Sequence, residues 1–161
     1  MLRFSLIFVS MFSIMTCLAA CKSENVTIVE TINEQAVNDN NAVKSNKVRI
    51  KIGTSTFTAT LLDNPTVNAF KALLPLTINM KELNNNEKYF DLSKSLPTNS
   101  SVPASIQAGD LMLYGSSTLV LFYKGFSTSY SYTKIGKIED VTGLVAALGT
   151  GNVTVTFEME E

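Results

Sequence analysis

The chain has 161 residues, a formal net charge of −1, two cysteines and neither histidine nor tryptophan. This length suits one modest domain with additional segments. The balanced charge argues against nucleic-acid binding, which needs an excess of Lys and Arg to neutralise phosphates. Without histidine, the chain cannot form a Ser-His-Asp triad, a Cys-His pair or a histidine-ligated metal site. We therefore expect no metal and no cofactor.

The first 20 residues have the pattern of a secretory signal peptide. Arg3 and the amino terminus give a positive start, residues 4–18 are apolar apart from Ser and Thr, and small residues follow. The run is shorter than the roughly 20 apolar residues of a transmembrane helix. Cys17 lies in the segment that would be removed, so the mature chain keeps no cysteine pair and no disulfide framework is expected.

The segment Leu18-Ala19-Ala20-Cys21 resembles the bacterial lipobox. The resemblance implies cleavage after Ala20 and attachment of lipid to the Cys21 thiol. It also implies an exported protein that is anchored to the cell membrane or the outer membrane of a bacterium, with the membrane as its partner through the lipid on Cys21. The alternative is an ordinary signal peptide with a cysteine near its cleavage site.

Residues 22–46 are polar and rich in Asn, and they show no sustained hydrophobic period. Such a composition cannot bury enough surface to offset its ordering entropy, and it predicts a flexible tether. The alternative is that residues 26–29 form a short strand that joins the domain. The predicted organisation is a signal peptide over residues 1–20, the lipidated cysteine and tether over 21–46, and a folded domain over 47–161.

The domain is predicted to begin with a β-hairpin and a short helix. Residues 47–52 and 56–61 alternate between apolar and polar side chains on either side of a Gly53-Thr54-Ser55 turn. Asn64 suits the N-cap of the helix and Pro65 its first position. The helix should end at Pro75, and its apolar face is expected to comprise Val67, Phe70, Leu73 and Leu74.

The rest of the domain is predicted to be mostly β-structure. The expected elements up to residue 108 are a strand at 76–80, a turn at 84–86, a short strand around Tyr89-Phe90 and a long loop over 93–108. After the loop we expect a hairpin of 110–114 with 118–124 and an extended stretch at 130–138. A helix at 141–148, capped by Asp140, and a last strand at 153–157 complete the domain. The segment Leu119–Tyr123 is apolar on both faces, which favours a closed sheet over an open edge.

Several segments, in this order, resemble the bacterial cyclophilin-like domain. The resemblance implies a closed eight-stranded cyclophilin-like β-barrel with two short helices, over roughly residues 48–157. Cyclophilins are peptidyl-prolyl isomerases that depend on the arginine of a Phe-His-Arg motif, which this chain lacks. The resemblance therefore implies a fold without assigning catalytic residues. It is carried by Leu62-Asp63-Asn64-Pro65-Thr66, Phe70-Lys71-Ala72-Leu73-Leu74-Pro75-Leu76, Gly109-Asp110-Leu111 with Tyr114, Leu121-Phe122-Tyr123-Lys124 and Ile135-Gly136-Lys137-Ile138.

An aromatic group around the central hairpin is the candidate ligand site: Tyr114, Phe122, Tyr123, Phe126 and Tyr130. Aromatic side chains can line a groove, and phenol hydroxyls can orient a small molecule or an extended peptide in it. The alternative for Phe122 and Tyr123 is packing within the core.

Three functions are compatible with these features. The first is a non-enzymatic binding or accessory module of the cell envelope that takes a small molecule or an extended peptide. The second is an envelope peptidyl-prolyl cis-trans isomerase with an altered active site. The third is a structural module without a ligand. We expect no nucleic-acid partner in any of them.

Overall fold

The computed structural model describes residues 45–161. The predicted signal peptide, Cys21 and nearly all of the predicted tether lie outside the described residues. The elements in chain order are β1 (Lys47–Ile52), β2 (Ser55–Leu61), α1 (Pro65–Lys71), β3 (Leu76–Leu83), β4 (Glu87–Asp91), β5 (Asp110–Tyr114), β6 (Thr118–Phe122), β7 (Tyr132–Ile138), α2 (Leu144–Leu148) and β8 (Val153–Met159).

The eight strands form one closed antiparallel barrel in the order β1-β2-β7-β5-β6-β4-β3-β8, and β8 pairs again with β1. This confirms the predicted mostly β fold, the closed eight-stranded barrel and the two short helices. Closure leaves no strand edge unpaired. Neither helix within residues 45–161 is long and apolar enough to cross a membrane.

The barrel interior follows from the alternation of side chains along each strand. In β1, Val48, Ile50 and Ile52 are buried, while Lys47 and Lys51 face solvent. Ile50 lies opposite Phe157 on β8, and the Phe157 ring meets the Phe70 ring of α1 edge-on at 5.8 Å between centroids. Inward apolar residues from all the strands and from both helices join one cluster, so the helices complete the barrel core.

Helix α1 begins where the sequence predicts but ends earlier. The Asn64 side chain accepts a hydrogen bond from the backbone N–H of Val67 at 2.9 Å, and Pro65 is the first helical residue. The helix ends at Lys71, because the next N–H groups bond three residues back: Leu73 N–H donates to Phe70 and Leu74 N–H to Lys71. Leu73 and Leu74 therefore pack against the core from a turn instead of a helix.

The prediction that α2 is capped by Asp140 is wrong. The Asp140 carboxylate accepts a hydrogen bond from the Thr142 N–H at 2.8 Å, which closes a turn ahead of the helix. Gly143 then adopts a φ of 79° as the N-cap residue, so α2 covers only Leu144–Leu148. A short polar side chain that bonds two residues ahead favours a turn over a helix start.

Gly136 occupies a position on β7 where the barrel has no room for a side chain. A Cβ atom there would lie 2.5 Å from the Thr60 carbonyl oxygen and 3.1 Å from the Leu61 Cα of β2. Both are backbone atoms of a paired strand, which cannot move aside without disturbing the β2–β7 ladder.

Gly136→Ala is therefore expected to lower the free energy of unfolding by about 1–3 kcal/mol, the usual effect of overpacking. Gly151→Ala is the matched control, since a Cβ atom at Gly151 would meet nothing within 4 Å. The control should leave stability unchanged or raise it by up to about 1 kcal/mol through the unfolded state. Urea unfolding of both variants measures the difference, and equal stabilities would contradict the close approach.

Candidate functional site

A second apolar cluster lies on the outer face of the barrel, over β5, β6 and β7. Along β6, Leu119 and Leu121 point into the barrel core, whereas Val120 and Phe122 belong to the outer cluster. This explains why β6 is apolar on both faces. The other buried members of the outer cluster are Ile106, Met112 and Tyr132.

Two loops cover part of this outer cluster. The loop between β4 and β5 brings Ile106 onto it, and the loop between β6 and β7 brings Phe126. Ile106 and Phe126 bond each other through both backbone groups, at 2.9 and 3.2 Å. A further backbone pair, Ser101 with Tyr132, holds the first loop against β7. The long loop predicted over residues 93–108 is thus confirmed, and it is anchored along its length.

Beside these loops the outer face opens into a cleft of about 600 Å³. Its floor and walls come from the outward side chains of β4, β5, β6 and β7, from the β3–β4 turn and from the loop before β7. The lining residues are Leu83, Asn84, Asn86, Glu87, Tyr89, Asp91, Tyr114, Thr118, Val120, Phe126, Ser127, Thr128, Ser129, Tyr130 and Tyr132.

Aromatic rings in contact with one another form one side of the cleft. Tyr114 lies 6.0 Å from Tyr130 and 5.5 Å from Tyr132, measured between ring centroids. Phe122 lies 5.5 Å from Tyr132 and 5.6 Å from Phe126, so the series is continuous. Tyr114 and Tyr130 remain 45% and 62% exposed. Exposed, clustered aromatic side chains are common at sites that bind apolar parts of a ligand.

The structure brings together three of the five predicted ligand-site residues, since Tyr114, Phe126 and Tyr130 all line the cleft. Phe122 is fully buried beneath it, between Phe126 and Tyr132. Tyr123 belongs to the barrel core instead. Both residues are therefore in packed positions, as the alternative for them expected.

The Tyr123 hydroxyl lies apart from the cleft lining and donates a hydrogen bond to Glu82 at 2.8 Å. Burial, together with this bond and the nearby carboxylates, raises the pKa of Tyr123 to about 12. Burial alone would raise the pKa of Glu82, but bonds from Lys88 and Tyr123, the Lys88 charge and the Asn85 N–H outweigh it and lower that pKa. None of the side chains of Glu82, Lys88 and Tyr123 lines the cleft.

Glu87 is a charged residue of the cleft that sequence analysis missed. It stands on β4 with its side chain outward, in phase with Tyr89 and Asp91, and only 8% of it is exposed. Within residues 45–161 its carboxylate has neither a hydrogen bond nor an ion pair. Burial, followed by the charge of Glu82, raises the pKa of Glu87 above its ordinary value. The signal available in the sequence was the period-two spacing of Glu87, Tyr89 and Asp91.

The remaining polar groups of the cleft are mostly acceptors or hydroxyls. Asn86 Oδ1 is buried without a hydrogen-bond donor. Asp91 accepts a bond from the Thr118 hydroxyl at 2.7 Å. None of the described residues that line the cleft is Lys or Arg, and residues 45–161 contain no group of three or more Cys, Asp and Glu arranged to hold a metal.

Glu87→Gln is expected to stabilise the protein near neutral pH. Because the folded state raises the pKa of Glu87, the unfolded chain releases this proton first, so the penalty grows as the pH rises from the unfolded-state pKa to the folded-state pKa and is constant above it. Below the unfolded value the carboxyl is protonated in both states and the penalty vanishes. Denaturant unfolding of both proteins at several pH values measures the result. The variant should have the higher free energy of unfolding near neutral pH, and this difference should decrease as the pH is lowered. A difference that does not change with pH would contradict the burial of an unpaired carboxylate.

A family model described as the Cyclophilin-like family matches residues 50–158. The chain belongs to this family. The match includes nearly the whole cyclophilin-like barrel, with all the strands that line the cleft. Among solved structures, the chain is similar to the solution structure of a hypothetical protein from Archaeoglobus fulgidus, with 18% identity, a TM-score of 0.48, and coverage of 73% of this chain and 96% of that one. No curated protein matches the sequence.

Proposed function

We propose that this protein is a non-enzymatic binding module of the cell envelope, which takes a small molecule or an extended peptide in the outer-face cleft. The observation that carries the proposal is the cleft itself, with about 600 Å³ of space beside exposed Tyr114 and Tyr130. Ligand sites in proteins have this size, and they combine apolar walls with a few convergent polar groups.

The polar groups of the cleft support binding over isomerisation. Rotation about a prolyl bond has a barrier of about 18–20 kcal/mol, and lowering it requires a donor close to the proline nitrogen. Cyclophilins use an arginine for this purpose. Arg49 lies on β1, which does not line the cleft, and the chain contains no histidine.

Ligand screening by NMR tests the binding function on residues 22–161, which include the whole closed barrel. Small molecules or extended peptides that bind should shift the signals of Tyr114, Phe126 and Tyr130. Tyr130→Ala should abolish the shifts without loss of stability, because Tyr130 is 62% exposed. Val145→Ala on α2 is the matched control, since Val145 is also exposed but outside the cleft. Binding elsewhere, or none, would favour a purely structural module.

A proline-peptide isomerisation assay on the same protein separates the binding module from an isomerase with an altered site. We expect the rate in the presence of protein to equal the rate in buffer. Tyr114→Phe removes the hydroxyl of Tyr114, which is 45% exposed and lines the cleft. Acceleration by the wild type that is lost in this variant would overturn the non-enzymatic proposal and favour the isomerase.

The second part of the proposal is a lipid anchor on Cys21, which rests on the Leu18-Ala19-Ala20-Cys21 pattern. Each buried CH₂ group contributes about 0.8 kcal/mol, so two or three acyl chains hold a protein durably in a bilayer. The barrel begins at Lys47, so lipid at Cys21 would attach outside the folded domain.

Cys21→Ser is expected to abolish membrane retention and incorporation of labelled palmitate, and to leave the barrel folded. Cys17→Ser is the matched control, because Cys17 lies within the predicted signal peptide. Membrane fractionation and circular dichroism give the two readouts. Full retention of the Cys21→Ser variant with the membranes would show that the anchor assignment is wrong.

A further inference from the structure

Two acceptor groups of the cleft, on Glu87 and Asn86, have no hydrogen-bond donor within residues 45–161. Glu87 is more than nine-tenths buried and faces the cleft, yet nothing within residues 45–161 donates a hydrogen bond to its carboxylate or pairs with its charge. The neighbouring Asn86 also lines the cleft and carries a buried acceptor oxygen without a donor. The Glu87 carboxylate oxygens keep some contact with the open cleft. A partly desolvated carboxylate without a partner is disfavoured, and proteins ordinarily pair such a group with a cation or with N–H donors.

We propose that the ligand of this cleft carries an organic cation, an ammonium or guanidinium group on an apolar stem, which pairs with the Glu87 carboxylate. The inference rests on the proposed binding function and specifies its ligand chemistry. The cation would donate hydrogen bonds to the Glu87 carboxylate, while the stem lies against the tyrosine rings.

The aromatic walls suit a cation as well as an apolar stem. The faces of tyrosine rings attract positive charge, by about 0.5–1 kcal/mol at exposed sites and more where water is excluded. The structure contains one example at the margin of the cleft, where Lys81 Nζ stands 5.6 Å from the centroid of the Tyr89 ring. Lys81 makes no ion pair with Glu87, so it leaves the carboxylate available.

Glu87 is a better partner for the cation than the other acid of the cleft. Asp91 is exposed and already accepts a hydrogen bond from Thr118 at 2.7 Å. An ion pair in contact with water contributes little, whereas a charge-assisted hydrogen bond in a water-poor site is stronger. Discrimination between a cationic ligand and a neutral one should therefore depend on Glu87.

Two pairs of probes test this inference on residues 22–161. Phenethylammonium is compared with 2-phenylethanol, which keeps the ring and the two-carbon chain without the charge. Acetyl-Phe-Lys-amide is compared with acetyl-Phe-norleucine-amide in the same way, so that small amines and basic peptides are distinguished as sources of the cation. Binding is followed through the NMR signals of Tyr114 and Tyr130 and through the carboxyl-carbon signal of Glu87.

We expect at least one cationic probe to bind about tenfold or more tightly than its neutral counterpart and to shift the Glu87 signal. Glu87→Gln should remove that preference, whereas Glu158→Gln, an acid on β8 paired with Lys51, should retain it. Equal binding of both members of each pair, unchanged in Glu87→Gln, would overturn the cation and leave the binding function standing. No shift of Tyr114 or Tyr130 with any probe would overturn both.

Discussion

Replacing Lys88 with methionine should lower the free energy of unfolding by about 3 kcal/mol, the lower end of what removing one partner from a buried ion pair costs. The Lys88 side chain on β4 is fully buried. Its Nζ donates to the Glu82 carboxylate and to the carbonyl oxygens of Gly149 and Gly151, at 2.9 and 2.6 Å for the two carbonyls. Methionine fills a similar volume but donates nothing, so three acceptors lose their donor.

The expected loss stays near 3 kcal/mol because Glu82 keeps other partners. Its carboxylate still accepts bonds from the Tyr123 hydroxyl at 2.8 Å and from the Asn85 N–H at 2.9 Å, and its side chain is 17% exposed. The other two bonds of Lys88 go to the carbonyls of Gly149 and Gly151, which precede β8. Amide hydrogen exchange should therefore quicken most in the segment between α2 and β8, which Lys88 holds against the barrel end.

Two further variants separate the charge from the packing. Lys81→Met removes an exposed lysine from the neighbouring strand β3, together with its contact with the Tyr89 ring, and should change stability by no more than about 1 kcal/mol. Glu82→Gln combined with Lys88→Met should recover part of the loss, with a coupling energy of about 0.5–3 kcal/mol, because no unpaired charge remains. Denaturant unfolding measures these proteins and the single variant Glu82→Gln, which the coupling energy requires. Similar losses for Lys88→Met and Lys81→Met would contradict a buried ion pair.

The barrel could be predicted because its strands alternate clearly. In residues 47–52 and 56–61 every second side chain is apolar, and these side chains are the ones that the barrel core buries. The alternation between apolar and polar side chains is much less clear in β4. Its sequence places Tyr89 on one face and Phe90 on the other, and both faces are covered in the structure. Alternation alone could not show that Lys88 points inward with Phe90, since a lysine is usually exposed.

Aromatic side chains of the cleft could be predicted from the sequence, whereas Glu87 could not. Tyr114, Phe126 and Tyr130 stand out because they flank turns and serines, where core packing is a weaker explanation. Glu87 stands out only once β4 is known to lie beside β6, with Glu87 opposite Phe122. That pairing joins segments that are distant in the sequence. The long loop is likewise held by hydrogen bonds between distant residues, such as the one from the Asn99 N–H to the Thr133 hydroxyl.

Phe122→Ala should lower the free energy of unfolding by about 3–5 kcal/mol, the usual cost of truncating a buried phenylalanine. The ring is fully buried on the outer face of β6 and lies 5.6 Å from Phe126 and 5.5 Å from Tyr132 between centroids. Its removal leaves a void beneath the cleft, and the loop that carries Phe126 loses its main ring contact. Ligand binding should weaken together with stability.

A conservative pair of variants distinguishes the floor of the cleft from the barrel core. Phe122→Leu and Phe157→Leu each replace a fully buried aromatic ring with a smaller aliphatic side chain. Phe122 lies under the cleft, and Phe157 lies inside the barrel against Phe70. Both should reduce stability by similar amounts in urea unfolding, while only Phe122→Leu should also shift the NMR signals of Tyr132 and Phe126 and weaken binding of a cleft ligand. If Phe157→Leu weakened binding equally, the cleft would depend on overall stability instead of on the ring beneath it.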